Sequence, residues 1–193
     1  APVLDGGTRI TAWSKGEING IEAFVADVSG ILKELGRPFR SLFVQGARRP
    51  RSRFPLTDYI YLKPSTEGSQ KNPFAGTKEP ELVDPSVVPS DWSLAGAELR
   101  VLHKWVDERM PVESFDAETG RFRCAYRSIQ RMTGETEGWK RERAFLENVR
   151  AAVREPGQWY LDESAGTLSV IPQQGETLER FEAVVPQALQ LLR

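Results

Sequence analysis

The chain has a single cysteine, Cys124, and a single histidine, His103, in 193 residues. One thiol excludes an internal disulfide and a cysteine-rich zinc site. One imidazole means that any Ser-His-Asp or Cys-His arrangement would have to use His103. No readable spacing of ligands surrounds either residue, so neither a metal nor a cofactor is expected. No apolar run approaches the length of about 20 residues that a membrane-spanning helix needs, and no membrane partner is expected. The formal net charge is −1. The single-sign field that nucleic-acid binding requires is therefore missing, and no nucleic acid is expected either. Glycine-rich phosphate loops are absent; the run Gly134–Lys140 only mimics one, and its acids Glu135 and Glu137 would repel a phosphate.

What is present reads mostly as β structure. Apolar residues make up 39% and charged residues 27%, an ordinary balance for a globular chain with its own core. Short apolar alternations recur between Gly, Pro and Asp. Strands are expected at Thr8–Trp13 and Glu22–Val28 around a Gly16–Gly20 turn. Phe39–Gln45 and Arg48–Phe54 flank Gly46 as a hairpin, and Tyr59–Leu62 adds a strand. Residues 63–92, rich in Pro, Gly, Ser and acids, read as a long surface loop. In Glu98–Trp105, Leu99, Val101, His103 and Trp105 share one face. Two hairpins follow, Pro111–Phe115 with Arg121–Tyr126 and Gln158–Leu161 with Thr167–Ile171, each closed by Asp-x-x-x-Gly. Asp can bond the turn backbone, and Gly accepts a positive φ. A short helix is expected near Phe145–Val153, ending before Glu155-Pro156-Gly157. The fold expected is mainly β: a small barrel-like module of short antiparallel strands with one short helix, in a single domain over residues 1–193. Closure would remove its exposed strand edges.

The candidate functional residues divide by type. His103 lies on an apolar strand face, where a satisfied core or rim histidine is the better reading. Cys124 alternates with Phe122 and Tyr126 and reads as a small buried hydrophobe rather than a nucleophile. Carboxylate pairs suit glycoside chemistry, which needs two acids across one bond. Asp107/Glu108, Asp116/Glu118 and Asp162/Glu163 qualify by type only, and no catalytic residue is assigned. The densest basic run holds Arg48, Arg49, Arg51 and Arg53. Internal pairing is favoured for it, with sugar or interface contact second, since Arg binds carboxylates in a bidentate manner. Among the aromatics, Trp105 and Trp159 read as core, whereas Trp92 and Trp139 stand outside clear strands and are the better candidates for stacking on sugar.

Several segments together carry a resemblance. Arg40-Ser41-Leu42-Phe43-Val44-Gln45-Gly46 with Arg48–Pro55 resembles "LFVNG-x-R-x-x-RAR-x-P". Val101-Leu102-His103-Lys104-Trp105 with Arg109–Ser114 resembles "H-x-W…R-x-x-V-x-S". Glu147-Asn148-Val149-Arg150 through Glu155-Pro156-Gly157-Gln158-Trp159-Tyr160-Leu161-Asp162 resembles "ENVREALDEPGEWYLD", and Val184–Leu192 resembles the "VPxLEQLL" that follows. Gln45 stands where Asn is usual, and Leu168-Ser169-Val170 replaces an aromatic pair. The set is similar to the barrel-like insertion module of right-handed parallel β-helix proteins related to glycoside hydrolase family 141. The resemblance implies a module excised from a β-helix protein, with residues 1–7 and 184–193 as the cut edges of that helix. It implies a secreted or periplasmic parent, and a polysaccharide or oligosaccharide and the parent's β-helix domain as partners. The carboxylates thought to be catalytic in that family lie on the β-helix after the insertion, so none is carried onto this chain. An independent carbohydrate-binding module and a self-contained hydrolase using loop carboxylates are the alternatives.

Overall fold

The structure, a computed structural model, describes residues 6–65, 76–103, 105–132 and 141–187. Its strands are β1 (Gly7–Ile10), β2 (Ser14–Ile18), β3 (Ile21–Asp27), β4 (Phe43–Val44), β5 (Ala47–Arg48), β6 (Arg53–Phe54), β7 (Ile60–Leu62), β8 (Glu98–Leu102), β9 (Asp107–Asp116), β10 (Arg121–Cys124), β11 (Glu142–Glu147), β12 (Trp159–Asp162), β13 (Thr167–Val170) and β14 (Ala183–Pro186). Among the described residues one α-helix, α1 (Ser29–Leu35), interrupts them. The chain is thus mainly β, with antiparallel sheets. It divides into two compact units, residues 1–52 with 153–193, and residues 53–152.

The first unit holds two four-stranded antiparallel sheets, ordered β1-β14-β4-β5 and β12-β13-β3-β2. Val44, Ala183 and Val185 of one sheet and Phe24, Leu161, Leu168 and Val170 of the other share one buried cluster. Trp159 fills its centre, stacked on Phe39 at 5.7 Å and donating its indole N–H to the Arg49 carbonyl at 3.1 Å. The second unit is built on one sheet, β10-β9-β8-β11-β6, with β7 also pairing β11. Leu99, Val101, Met110, Phe122, Ala144 and Leu146 project from one face of this sheet into its core. Among the described residues the sheets stay open rather than closing into a barrel.

Local chemistry explains most turns. In both Asp-x-x-x-Gly loops the Asp carboxylate accepts backbone N–H groups, Asp116 from Glu118 and Thr119, and Asp162 from Ala165. Gly120 and Gly166 then take φ of 72° and 64°, a region costly for residues with a Cβ. A hairpin forms at Gly46, with Gln45 and Gly46 both at positive φ, but it is shorter than expected: only Phe43–Val44 pairs with Ala47–Arg48, and Arg53–Phe54 pairs with β11 instead.

Three further expectations are corrected. The segment near Phe145–Val153 is not a helix: Phe145 lies in β11, whose residues alternate buried and half-buried, and only a 3₁₀ turn at Arg150–Ala152 follows. Asn148, at φ 58° with its amide donating to Gly96 O at 3.0 Å, breaks any continuous helix there. The true helix is α1; the Asp27 carboxylate receives the Ser29 N–H at 2.8 Å and Gly36 closes its end in the left-handed region. Gly16 sits within β2, so the turn before β3 is confined to Asn19 and Gly20. The irregular stretch 63–92 also contributes Leu82 and Val88 to the core of the second unit.

Candidate functional site

The residues with the most distinctive chemistry gather at one end of the second unit, where β8 turns into β9. His103 follows β8, and its N–H bonds the Val106 carbonyl at 2.8 Å. That bond ends the β8–β9 ladder and leaves Trp105 between the two strands. The alternation of β8 therefore stops before Trp105, which is 80% exposed rather than part of the apolar face. This is the main correction to the sequence reading of the aromatics.

His103 itself stays on the core face. Its Nε2 lies 3.2 Å from Glu108 Oε2, and its Nδ1 lies 3.9 Å from Glu142 Oε1. Strands β9 and β11 flank β8, so each contributes one glutamate beside the single imidazole. All three side chains are between 1% and 3% exposed. Burial alone would lower the His103 pKa; the hydrogen bond to Glu108 and the nearby charge of Glu142 outweigh it and raise it to about 9. The raised pKa favours the protonated ring, held beside two buried acids. Such a ring has no lone pair to offer a nucleophile, and the buried acids have no approach for a sugar. Glu108 also accepts the Ile129 N–H at 2.9 Å, which ties residues 125–132 to the same end.

Around this ionic layer lie exposed apolar side chains. Tyr126 is 43% and Ile129 56% exposed. The Tyr126 hydroxyl donates to the Arg109 carbonyl, one residue beyond Glu108 on β9. Asp107, on the opposite face of β9 from Glu108, is gripped by Arg100 through both carboxylate oxygens, with Nε at 2.8 Å. Arg100 also reaches Glu147 at 2.9 Å.

The other candidates are placed as follows. Arg48 is exposed. Arg49 is buried and ion-paired with Glu176. Arg51 lies over the Trp159 ring at 5.4 Å. Arg53 covers Phe145 at 4.1 Å and Tyr59 at 5.4 Å. The basic run is thus largely turned into the fold. Trp92 is half-buried, edge-to-face with Phe54 at 4.8 Å. Trp139 lies outside the described residues. Cys124 is fully buried, and burial pushes its thiol up to about 12. The acids Asp116 and Asp162 are committed to their turns. A cavity of about 310 Å³ lies beside Lys63, Glu79, Glu81 and Arg121. Its charges answer one another, since Glu81 pairs with both Lys63 and Arg121, and Arg123 reaches Glu79. The hydrogen bond from Lys63 is the main cause holding the Glu81 carboxyl below its ordinary range.

The residues that carry the sequence resemblance mostly do structural work. Asn148 bonds Gly96, Trp159 centres a core, and the Gln158 amide oxygen accepts the Arg154 and Glu155 N–H groups. No family model matches the chain. No curated protein matches it either. A solved structure described as a glycoside hydrolase shares its fold at a TM-score of 0.67 and 23% identity, over 95% of this chain and 31% of that one. The chain thus spans about a third of the length of the protein it resembles in fold.

Proposed function

We propose that this chain is an accessory module of a secreted or periplasmic glycoside hydrolase-related protein. It shapes the substrate cleft or contacts the polysaccharide, and does not supply its own catalytic pair. In this reading it is inserted in a parallel β-helix of the kind found in relatives of glycoside hydrolase family 141, whose acids perform hydrolysis elsewhere in the parent. The observation that carries the reading is the shared fold: nearly the whole chain corresponds to about a third of a longer glycoside hydrolase. The disposition of the acids supports it. A retaining or inverting pair needs two carboxylates about 5–10 Å apart across an accessible bond. Glu108 and Glu142 face the buried His103 ring instead, and Asp116 and Asp162 hold turns. The second reading is an independent carbohydrate-binding module, favoured by the exposure of Trp105. A glycan array combined with a reducing-sugar assay on the 193-residue chain tests the proposal. Binding without release of reducing ends is the expected result. Turnover abolished by Asp116→Asn or Asp162→Asn would overturn it in favour of a self-contained hydrolase.

A further inference from the structure

We infer that the tip of the β8–β9 hairpin is a saccharide-stacking site, with the Trp105 indole as its platform and Asp107 as its hydroxyl acceptor. The inference rests on the carbohydrate-contact reading above and names the surface that makes the contact. The indole is 80% exposed just past the His103–Val106 hydrogen bond that ends the β8–β9 ladder. An exposed ring costs solvation, and a flat π face suits the row of axial C–H groups on a pyranose. A sugar also needs polar groups to orient it. Asp107 follows two residues after Trp105 and is fixed by Arg100 at both oxygens. A carboxylate has about four lone-pair sites, so a bidentate guanidinium leaves acceptors for hydroxyl groups. Asp107 is half-exposed, which keeps those acceptors within reach of a ligand.

The loop is also held from below. The buried His103–Glu108–Glu142 layer anchors the residues before and after the tip, and Glu108 and Arg109 bind the segment carrying Tyr126 and Ile129. A platform anchored in this way loses less conformational freedom when a ligand stacks on it. The chemistry also selects among occupants. Arg100 is already matched by Asp107 and Glu147 and offers no spare charge to a uronate, so the ligand class is a neutral pyranose oligosaccharide. Among the described residues the exposed apolar side chains here are Trp105, Tyr126 and Ile129, a small set beside the roughly 20–30 residues a side of a stable protein interface, which favours a sugar over a protein.

The test is isothermal titration of cellohexaose, xylohexaose and mannohexaose into the full 193-residue chain and its variants. The wild type is expected to bind at least one of them. Trp105→Ala should weaken that binding about ten-fold or more (about 1.4 kcal/mol per ten-fold), and Trp105→Tyr should restore part of it. Asp107→Asn, which keeps an acceptor but loses charge, should weaken binding less than Asp107→Ala. An unchanged thermal midpoint in Trp105→Ala would show that the fold is intact. Binding that survives Trp105→Ala overturns this site and leaves the carbohydrate-contact reading standing. A wild type that binds none of the three, yet binds acidic oligosaccharides on the array, overturns the ligand class assigned here. A wild type silent to every glycan overturns both.

Discussion

Raising the pH should loosen the second unit by discharging His103. The imidazole is the only one in the chain, so its proton resonances can be followed alone. Its pKa rises from 6.5 to about 9 because the hydrogen bond to Glu108 and the charge of Glu142 outweigh burial. A folded pKa above the unfolded one gives stabilisation that is complete below about pH 6.5 and is lost as pH rises through about 9. Each pKa unit is worth 1.36 kcal/mol, so the window carries about 3 kcal/mol. The ring is 1% exposed, so solvent screening removes little of this. Two measurements check it. A proton NMR titration should place the His103 midpoint well above 7. Urea denaturation should show stability falling between pH 7 and 10, with a shallower fall in His103→Gln, because other alkaline groups are common to both proteins. A midpoint at or below 6.5, or parallel curves for the two proteins, would refute the reasoning.

Trp159→Ala removes a fully buried ring together with its stacking on Phe39 and its hydrogen bond to Arg49, and should cost about 3–5 kcal/mol in chemical denaturation; a loss below about 1 kcal/mol would contradict the core placement. Gly166→Val puts a β-branched residue at φ 64° with its Cβ 2.7 Å from that of Ser29, so the thermal midpoint should fall clearly, and an unchanged midpoint would contradict the turn geometry. Cys124 should resist a thiol reagent such as Ellman's at pH 8 until denaturant is added, because the group is buried and its pKa is pushed up to about 12; rapid labelling of the native protein would show that it is not enclosed.

Strand alternation and turn chemistry made much of the β framework readable. Asp116 with Gly120, and Asp162 with Gly166, announce two hairpins because each Asp bonds the turn and each Gly takes the positive φ. The helices were the weak point. α1 is seven residues long, has no side-chain cap from Val28 and contains Gly30, so it carries little local signal and depends on Ile31, Leu32 and Leu35 packing against the core. β11 misled in the opposite sense. Phe145, Leu146 and Val149 fit a helical spacing, and only the left-handed backbone of Asn148 shows otherwise.

The candidate site was legible in parts. His103 was recognisable as a buried histidine position, but the acids beside it lie on two neighbouring strands, Glu108 five and Glu142 thirty-nine residues along the chain. Pairing of that range leaves no trace in local spacing. Trp105 continued the parity of Leu99 and Val101, so periodicity placed it inside. The hydrogen bond between His103 and Val106 ends the strand first and turns the indole out. The basic run concealed a similar difference, since Arg49 and Arg51 are buried while Arg48 is exposed.

On the proposed function, this chain meets carbohydrate at an exposed aromatic tip without cleaving it. The most direct measurement is a ¹H–¹⁵N spectrum of the labelled chain during titration with a bound oligosaccharide, followed at the five tryptophan indole signals. The Trp105 signal should shift in a saturable manner, the Trp159 signal should stay in place, and the oligosaccharide should remain intact at the end. Shifts confined to other indoles, or fragments accumulating in the tube, would contradict it.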